Sequence, residues 1–262
     1  MKVLLPALLL IVTIGLPIDA GAGTIEKDDR GALTELGGSL GLSQDNIIQL
    51  KSAVGGVWCP GTKYGNPMFA SAALVRDAQT IVTVAHVFID ESMRRREPIA
   101  GCVFITLSGV EVPVSSVHPA TIDPYRSPFL DKAVAYLDRP IVDVLPLNVG
   151  SLRMPAVGDP LLGISGAEVG MTFKSDAVLR AFNVKSLHPE RLFYNSDADL
   201  TEGGCGGINF VVRQASIVVV GMFVRGALRS DDGKPYDEAK GVMTTSILLG
   251  DLFSPDTRRP ER

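Results

Sequence analysis

Short runs of β-branched and apolar residues recur through most of the chain, at 72–75, 80–84, 103–107, 110–117, 133–137, 208–212, 217–224 and 241–245. Clusters of Gly, Pro, Asp and Asn separate them, as at 61–67 and 230–235. Runs of this length and composition, closed by turn residues, predict strands. Many short strands with few long helical patterns predict an all-β chain built as barrels or a sandwich. One helix stands out at 44–54, with Ser43 as N-cap, Ile47, Ile48, Leu50 and Val54 along an apolar face, and Gly55 as the stop. It is read either as a pro-segment or as a packed N-terminal arm. At the other end, 248–253 reads as a short terminal turn and 255–262 as a polar tail. The chain shows no internal repeat.

Residues 1–22 have the pattern of a secretory signal: Lys2, an apolar stretch over 3–18 broken by Pro6, Gly15 and Pro17, and the small residues Ala20-Gly21-Ala22. The mature chain is therefore expected to be secreted or periplasmic, with no membrane partner. The formal net charge is −4, and removing Lys2 and Asp19 with the signal leaves it unchanged. Such weak acidity argues against a nucleic-acid partner. The dense basic cluster, Arg94 to Arg96, lies among other charged residues and reads as solvated.

Three cysteines in an exported chain are an odd count. One internal disulfide is expected in an oxidising compartment. Cys59 and Cys102 each sit in or beside a strand-like run and form the candidate pair, leaving Cys205; the alternative is that Cys205 bonds one of the other two. There is no CxxC and no His/Cys cluster at ligand spacing, so neither a metal nor another cofactor is expected.

Cys205 lies in Gly203-Gly204-Cys205-Gly206-Gly207. Attack on a carbonyl leaves an oxyanion that backbone N–H groups must approach closely, and glycines keep that approach clear. His86 ends the apolar run 81–88, and Asp131 opens the run 131–137, 45 residues later. Together the three residues form a candidate triad for acyl transfer.

These segments resemble the trypsin and chymotrypsin-like proteases. Thr83-Val84-Ala85-His86 is similar to that family's TAAH strand, 131–137 to its DxALLxL segment, and 203–207 to its GDSGG. The resemblance covers roughly 53–250 and implies two six-stranded antiparallel β-barrels preceded by a short N-terminal helix. It divides the chain into a signal at 1–22, an arm at 23–52 and a protease domain at 53–262, with barrels over about 53–145 and 146–250. It implies a secreted trypsin-like endopeptidase acting on protein or peptide substrates: Cys205 as nucleophile, His86 as base, Asp131 as orienter, and the N–H groups of Gly203 and Cys205 as the oxyanion hole. Asp199, Phe223, Val224 and Gly226 are the implied substrate contacts, with Asp199 favouring basic side chains. His118 and His188 read as structural and surface residues.

The chain departs from the family's pattern in two places. Cys205 stands where serine is usual, as in compact viral relatives with GxCGG. Gly204 replaces the acid that binds a freed N-terminus in trypsin-type zymogens, so the likeness of Ala53-Val54-Gly55-Gly56 to an activation sequence is read as coincidence. A catalytically inactive protease-fold binding protein is the alternative reading.

Overall fold

The computed structural model describes residues 30–61, 65–90, 92–96, 99–119, 123–124, 126, 128–150, 155–167, 176–188, 193–198, 200, 203–225 and 244–249. The expected signal at 1–22 and the tail at 255–262 lie outside them.

Two closed antiparallel barrels make up the structure. The first comprises β2 (Val54–Cys59), β3 (Met68–Leu74), β4 (Thr80–Thr83), β5 (Val103–Thr106), β6 (Glu111–Pro119) and β7 (Ala133–Leu137), joined in the ring β2-β3-β4-β7-β6-β5. The second comprises β9 (Pro160–Ser165), β10 (Val178–Leu187), β11 (Phe193–Ser196), β12 (Ile208–Arg213), β13 (Ser216–Arg225) and β14 (Thr244–Leu248). Here pairing runs β9-β10-β11-β14-β13-β12 and returns from β12 to β9. Closure leaves neither ring with an exposed edge, which is how short strands rich in β-branched residues avoid presenting unpaired backbone.

The linker between barrels is tied to both. Leu147, fully buried, bridges Val75 in parallel and donates its N–H to the Leu74 carbonyl. The next two residues, β8 (Asn148–Val149), pair in parallel with Val218 and Val219 of β13. The barrels meet at two glycines. A Cβ on Gly166 would lie 2.3 Å from the Gly55 carbonyl oxygen, so only bare backbone permits this approach. One apolar cluster consequently spans both barrels, with Phe104, Leu74 and Ile81 on one side and Ile208, Phe210 and Ile247 on the other.

The N-terminal segment is a packed arm. Within it, β1 (Gly31–Ala32) adds to β10, and α1 (Leu33–Leu36) follows directly. The Thr34 N–H and hydroxyl both bond Asp176, while Leu33, fully buried, donates its N–H to Ala177. The helix α2 (Gln44–Ala53) starts in a capping box: Ser43 accepts from the Asn46 N–H, and the Asn46 side chain accepts from the Ser43 N–H. Ile47, Leu50 and Ala53 face inward. From α2, Asn46 reaches the Ala215 carbonyl in the β12–β13 turn, and Gln49 reaches Pro146 in the linker. The arm thus grips both barrels.

Several boundaries differ from the sequence expectation. Gly55 does not stop the helix; α2 ends at Ala53, and Gly55 is the second residue of β2. Ala53-Val54-Gly55-Gly56 therefore runs unbroken from helix into strand. Leu248 ends β14, paired with Gly221, and does not open a terminal turn. Strands β9, β10 and β11 carry no simple β-branched run, which is why the sequence pattern misses them. Pro160 and Gly163 interrupt the first, and Arg180 is buried inside the second.

Cys59 and Cys102 form a disulfide, as expected from their flanking runs. They sit at neighbouring ends of β2 and β5, where Trp58 pairs with Val103. Among the described residues, no helix is long and apolar enough to cross a membrane.

Three outcomes are expected. Leu33→Ala should lower unfolding free energy by about 2–5 kcal/mol, read by denaturant melts, and an unchanged midpoint would mean that the arm does not clasp the barrels. Replacing both Cys59 and Cys102 by Ser should cost about 2–4 kcal/mol. In native, non-reduced protein, iodoacetamide should label Cys205 alone, as read by peptide mapping.

Candidate active site

His86 lies in a single 3-10 turn, 85–87, directly after β4. Between 80 and 90 every residue is buried except His86, so the strand end delivers one imidazole toward solvent. Its partner comes from the adjacent strand. In the pairing of β4 with β7, Thr83 lies opposite Ala133, which brings Asp131, two residues earlier, level with His86. Asp131 Oδ1 accepts the His86 backbone N–H at 3.0 Å, and Oδ2 lies 2.7 Å from Nδ1. The carboxylate is 2% exposed and the His86 side chain 14%. With the carboxylate accepting from Nδ1–H, Nε2 is left as the nitrogen able to take a proton.

Cys205 sits in the turn before β12, partly exposed between Gly203, Gly204, Gly206 and Gly207, all buried. This turn is held from three sides and by one bond of its own. Ser71 of β3 donates its N–H to the carbonyls of Gly203 and Cys205, at 2.9 and 2.8 Å. The Gly204 carbonyl accepts from the Gly207 N–H at 3.0 Å and from the Ser165 hydroxyl at 3.4 Å. Gly206 N–H donates to the Phe223 carbonyl and Phe223 N–H to the Gly207 carbonyl, at 2.7 and 2.8 Å. Because a trans peptide sets its N–H opposite its carbonyl, fixing the Gly204 oxygen inward turns the Cys205 N–H the other way.

The glycines are required by space and by conformation. Gly203 and Gly206 have φ of +83° and +86°. A Cβ on Gly206 would fall 1.9 Å from the Ser71 carbonyl oxygen and 2.7 Å from Thr83 Oγ1; one on Gly203 would fall 1.9 Å from the Ala167 oxygen. Thr83 is three residues from His86. The residue after Cys205 is therefore packed on the strand that carries the histidine, which brings both halves of the sequence-predicted triad to the junction of the barrels.

The other site residues fare differently. Asp199 and Gly226 lie outside the described residues. Phe223 and Val224 have no solvent-exposed surface. The Phe223 ring packs on Phe182 at 5.4 Å between centroids, fills the space beside Gly163 and has the Arg180 guanidinium 5.6 Å from its centroid. With its N–H and carbonyl also engaged by the glycine turn, Phe223 buttresses that turn from inside the barrel and presents no side chain to solvent. Asp197 is a framework acid, paired with Lys185 at 3.0 Å and accepting the Asn183 N–H. His118 is exposed and lies edge-on to Tyr136, while His188 stacks on Phe193. Deeper in the second barrel, Tyr194 is fully buried and bonds Asn209; burial holds its phenol well above the ordinary range, so it stays protonated. Among the described residues, no three His, Cys, Asp or Glu side chains cluster as a metal site would require.

Sequence reasoning missed Ser71. Its signal was a single hydroxyl within the otherwise apolar run Phe69-Ala70-Ser71-Ala72-Ala73-Leu74, a polar group that a barrel strand buries only with partners.

No protein-family model matches the chain, and no curated protein matches it by sequence. Solved structures do match. A thermostable serine protease from an extremophilic microorganism superposes with a TM-score of 0.56 at 13% identity, covering 77% of this chain and 93% of that one. A scabies mite inactivated protease paralogue gives 0.55 at 19%, covering 80% and 95%. A Glu endopeptidase gives 0.60 at 12%, covering 87% and 94%. With two closed six-stranded antiparallel barrels and these neighbours, the chain has the all-β fold of the chymotrypsin-like serine proteases.

Proposed function

We propose that this protein is an exported endopeptidase that hydrolyses peptide bonds through a covalent thioester on Cys205. The observation that carries the reading is the His86–Asp131 pair, with Nδ1 held by the buried carboxylate, on the barrel strand against which the Cys205 turn is packed.

In this mechanism His86 Nε2 takes the Cys205 thiol proton, or holds it in a thiolate–imidazolium pair. Thiolates need less base assistance than alkoxides, because an ordinary thiol already titrates near ~8.5 and a neighbouring imidazolium favours its anion. The sulfur attacks the scissile carbonyl carbon. The resulting oxyanion would be met by the N–H groups of Gly203 and Cys205; for Cys205 the support is the inward-fixed Gly204 carbonyl of the same peptide. Collapse breaks the C–N bond as His86 returns its proton to the leaving amine. Water, deprotonated by the same imidazole, then hydrolyses the thioester and restores the thiol. Asp131 keeps the imidazole in the reactive tautomer and stabilises its cation.

For specificity, the reading rests on Asp199, six residues before Cys205, as the charge that selects a basic side chain. The competing idea, an inactive binding protein on this fold, is disfavoured because all three triad positions hold competent groups and the buried His–Asp pair is intact. A binder has no need of a buried carboxylate oriented on a partly exposed imidazole.

Expressed residues 23–262 should cleave a mixed peptide library, with products read by mass spectrometry. Cys205→Ala should abolish cleavage, and His86→Ala should lower kcat/KM by about 10²–10⁴-fold. Cleavage that survives Cys205→Ala would sink the nucleophile assignment, and no cleavage by any form would favour the binding protein. Products ending in Arg or Lys should dominate; products with no such bias would remove Asp199 from recognition.

A further inference from the structure

Ser71 is fully buried in β3 of the first barrel, yet everything it bonds beyond its own sheet belongs to the site. Its Oγ lies 2.8 Å from the Gly203 carbonyl oxygen, 3.0 Å from the Gly166 nitrogen and 3.1 Å from the Ala167 nitrogen. A hydroxyl has one proton and two lone pairs. Two of these neighbours are N–H donors, so both lone pairs accept and the single proton must go to the Gly203 oxygen. The orientation of the hydroxyl is therefore fixed by its surroundings, and its hydrogen-bonding capacity is filled.

The three bonds join the two walls of one small structure. Gly166 and Ala167 follow β9 and press on Gly203, whose absent Cβ would meet the Ala167 oxygen. Gly203 receives two hydrogen bonds on one carbonyl, from the N–H and from the hydroxyl of the same serine. Ser71 Oγ is thus the point through which Gly203, Gly166 and Ala167 are held at fixed separation. Gly203, with left-handed φ and no side chain, would otherwise have wide backbone freedom. On the other side, the Ser71 carbonyl accepts the Thr83 hydroxyl at 2.7 Å, tying the same residue to the histidine strand.

We propose that Ser71 is a positioning residue of the oxyanion hole: its side-chain hydroxyl holds Gly203 in the conformation that presents its N–H to a developing oxyanion. The inference rests on the endopeptidase reading above and adds to it the residue that sets the hole's geometry. Ser71 is fully buried and its hydroxyl is spent on Gly203, Gly166 and Ala167, so its loss should weaken transition-state binding while leaving the reactivity of Cys205 alone.

That split is measurable. A peptide aldehyde forms a tetrahedral adduct that needs the oxyanion hole, whereas alkylation of Cys205 by iodoacetamide needs only the thiolate. In Ser71→Ala, kcat and aldehyde affinity should fall together by about 10- to 100-fold, the scale of a misplaced catalytic group, with KM and the alkylation rate within about twofold of wild type. Ser71→Gly, which keeps the N–H and adds no bulk, should behave alike. Equal losses of aldehyde affinity and alkylation rate would overturn the proposal, since the whole turn would then have been disturbed. Unchanged aldehyde affinity, or failure of both variants to fold, would overturn it too. If wild-type protein alkylates but binds no aldehyde, the endopeptidase reading falls and this inference with it.

Discussion

Everything chemical in this molecule depends on a backbone-to-backbone contact between barrels that only glycine permits. Gly206 lies against the Ser71 carbonyl and Thr83 of the first barrel, and within the second barrel Gly203 lies against Ala167, at separations where a methyl group could not exist. Backbone packed this closely at the glycines leaves rotamers little to adjust. It is set by strand positions in two closed rings, and closed rings resist shear because every strand is paired on both sides. The positions of Cys205 and His86 are therefore properties of the barrels more than of local loops. A left-handed φ at Gly203 and Gly206 reinforces the point, since any other residue there would add backbone strain to the steric clash.

This arrangement separates two tasks. The first barrel supplies a buried carboxylate and the imidazole it orients, and this pair is complete within one strand pairing, Thr83 opposite Ala133. The second barrel supplies the turn with the sulfur, fastened from behind by Phe223 and Ser165. Ser71 belongs to the first barrel but bonds almost wholly to the second. The inner packing of the second barrel serves the same end: Phe182, Arg180 and Gly163 confine the Phe223 ring, and Phe223 confines the turn.

The three residues of the proposed triad stand out in the sequence because they sit in segments with strong local signatures: an apolar strand ending in His86, another opened by Asp131, and four glycines around one cysteine. The disulfide was legible because Cys59 and Cys102 flank strands that pair directly. Strands β9 to β11 were not, since closure of the ring, rather than their composition, makes them strands. Ser71 was hidden for a related reason. Its importance comes from Gly166, Ala167 and Gly203, which lie 95, 96 and 132 residues away, and no pattern local to Phe69–Leu74 encodes them. Helix α2 was legible at its start, where Ser43 and Asn46 form a local cap, and misread at its end, where Gly55 lies in β2 and is bare because a Cβ there would meet the Ile105 carbonyl and the Phe104 ring.

The arm that clasps both barrels also imposes an order in time. Thr34 bonds Asp176, 142 residues on, and Asn46 bonds Ala215, 169 residues on. During synthesis or export the arm precedes these docking partners by 142 and 169 residues, so it must wait undocked until they appear. Contacts of such long sequence separation slow folding. The sulfur turn, itself more than 200 residues from the start, meets the histidine strand in the same late interval. Until the segment that carries Cys205 has been made and docked, the proposed nucleophile lacks both its glycine turn and its histidine strand, so the proposed activity would be silent while the first barrel emerges.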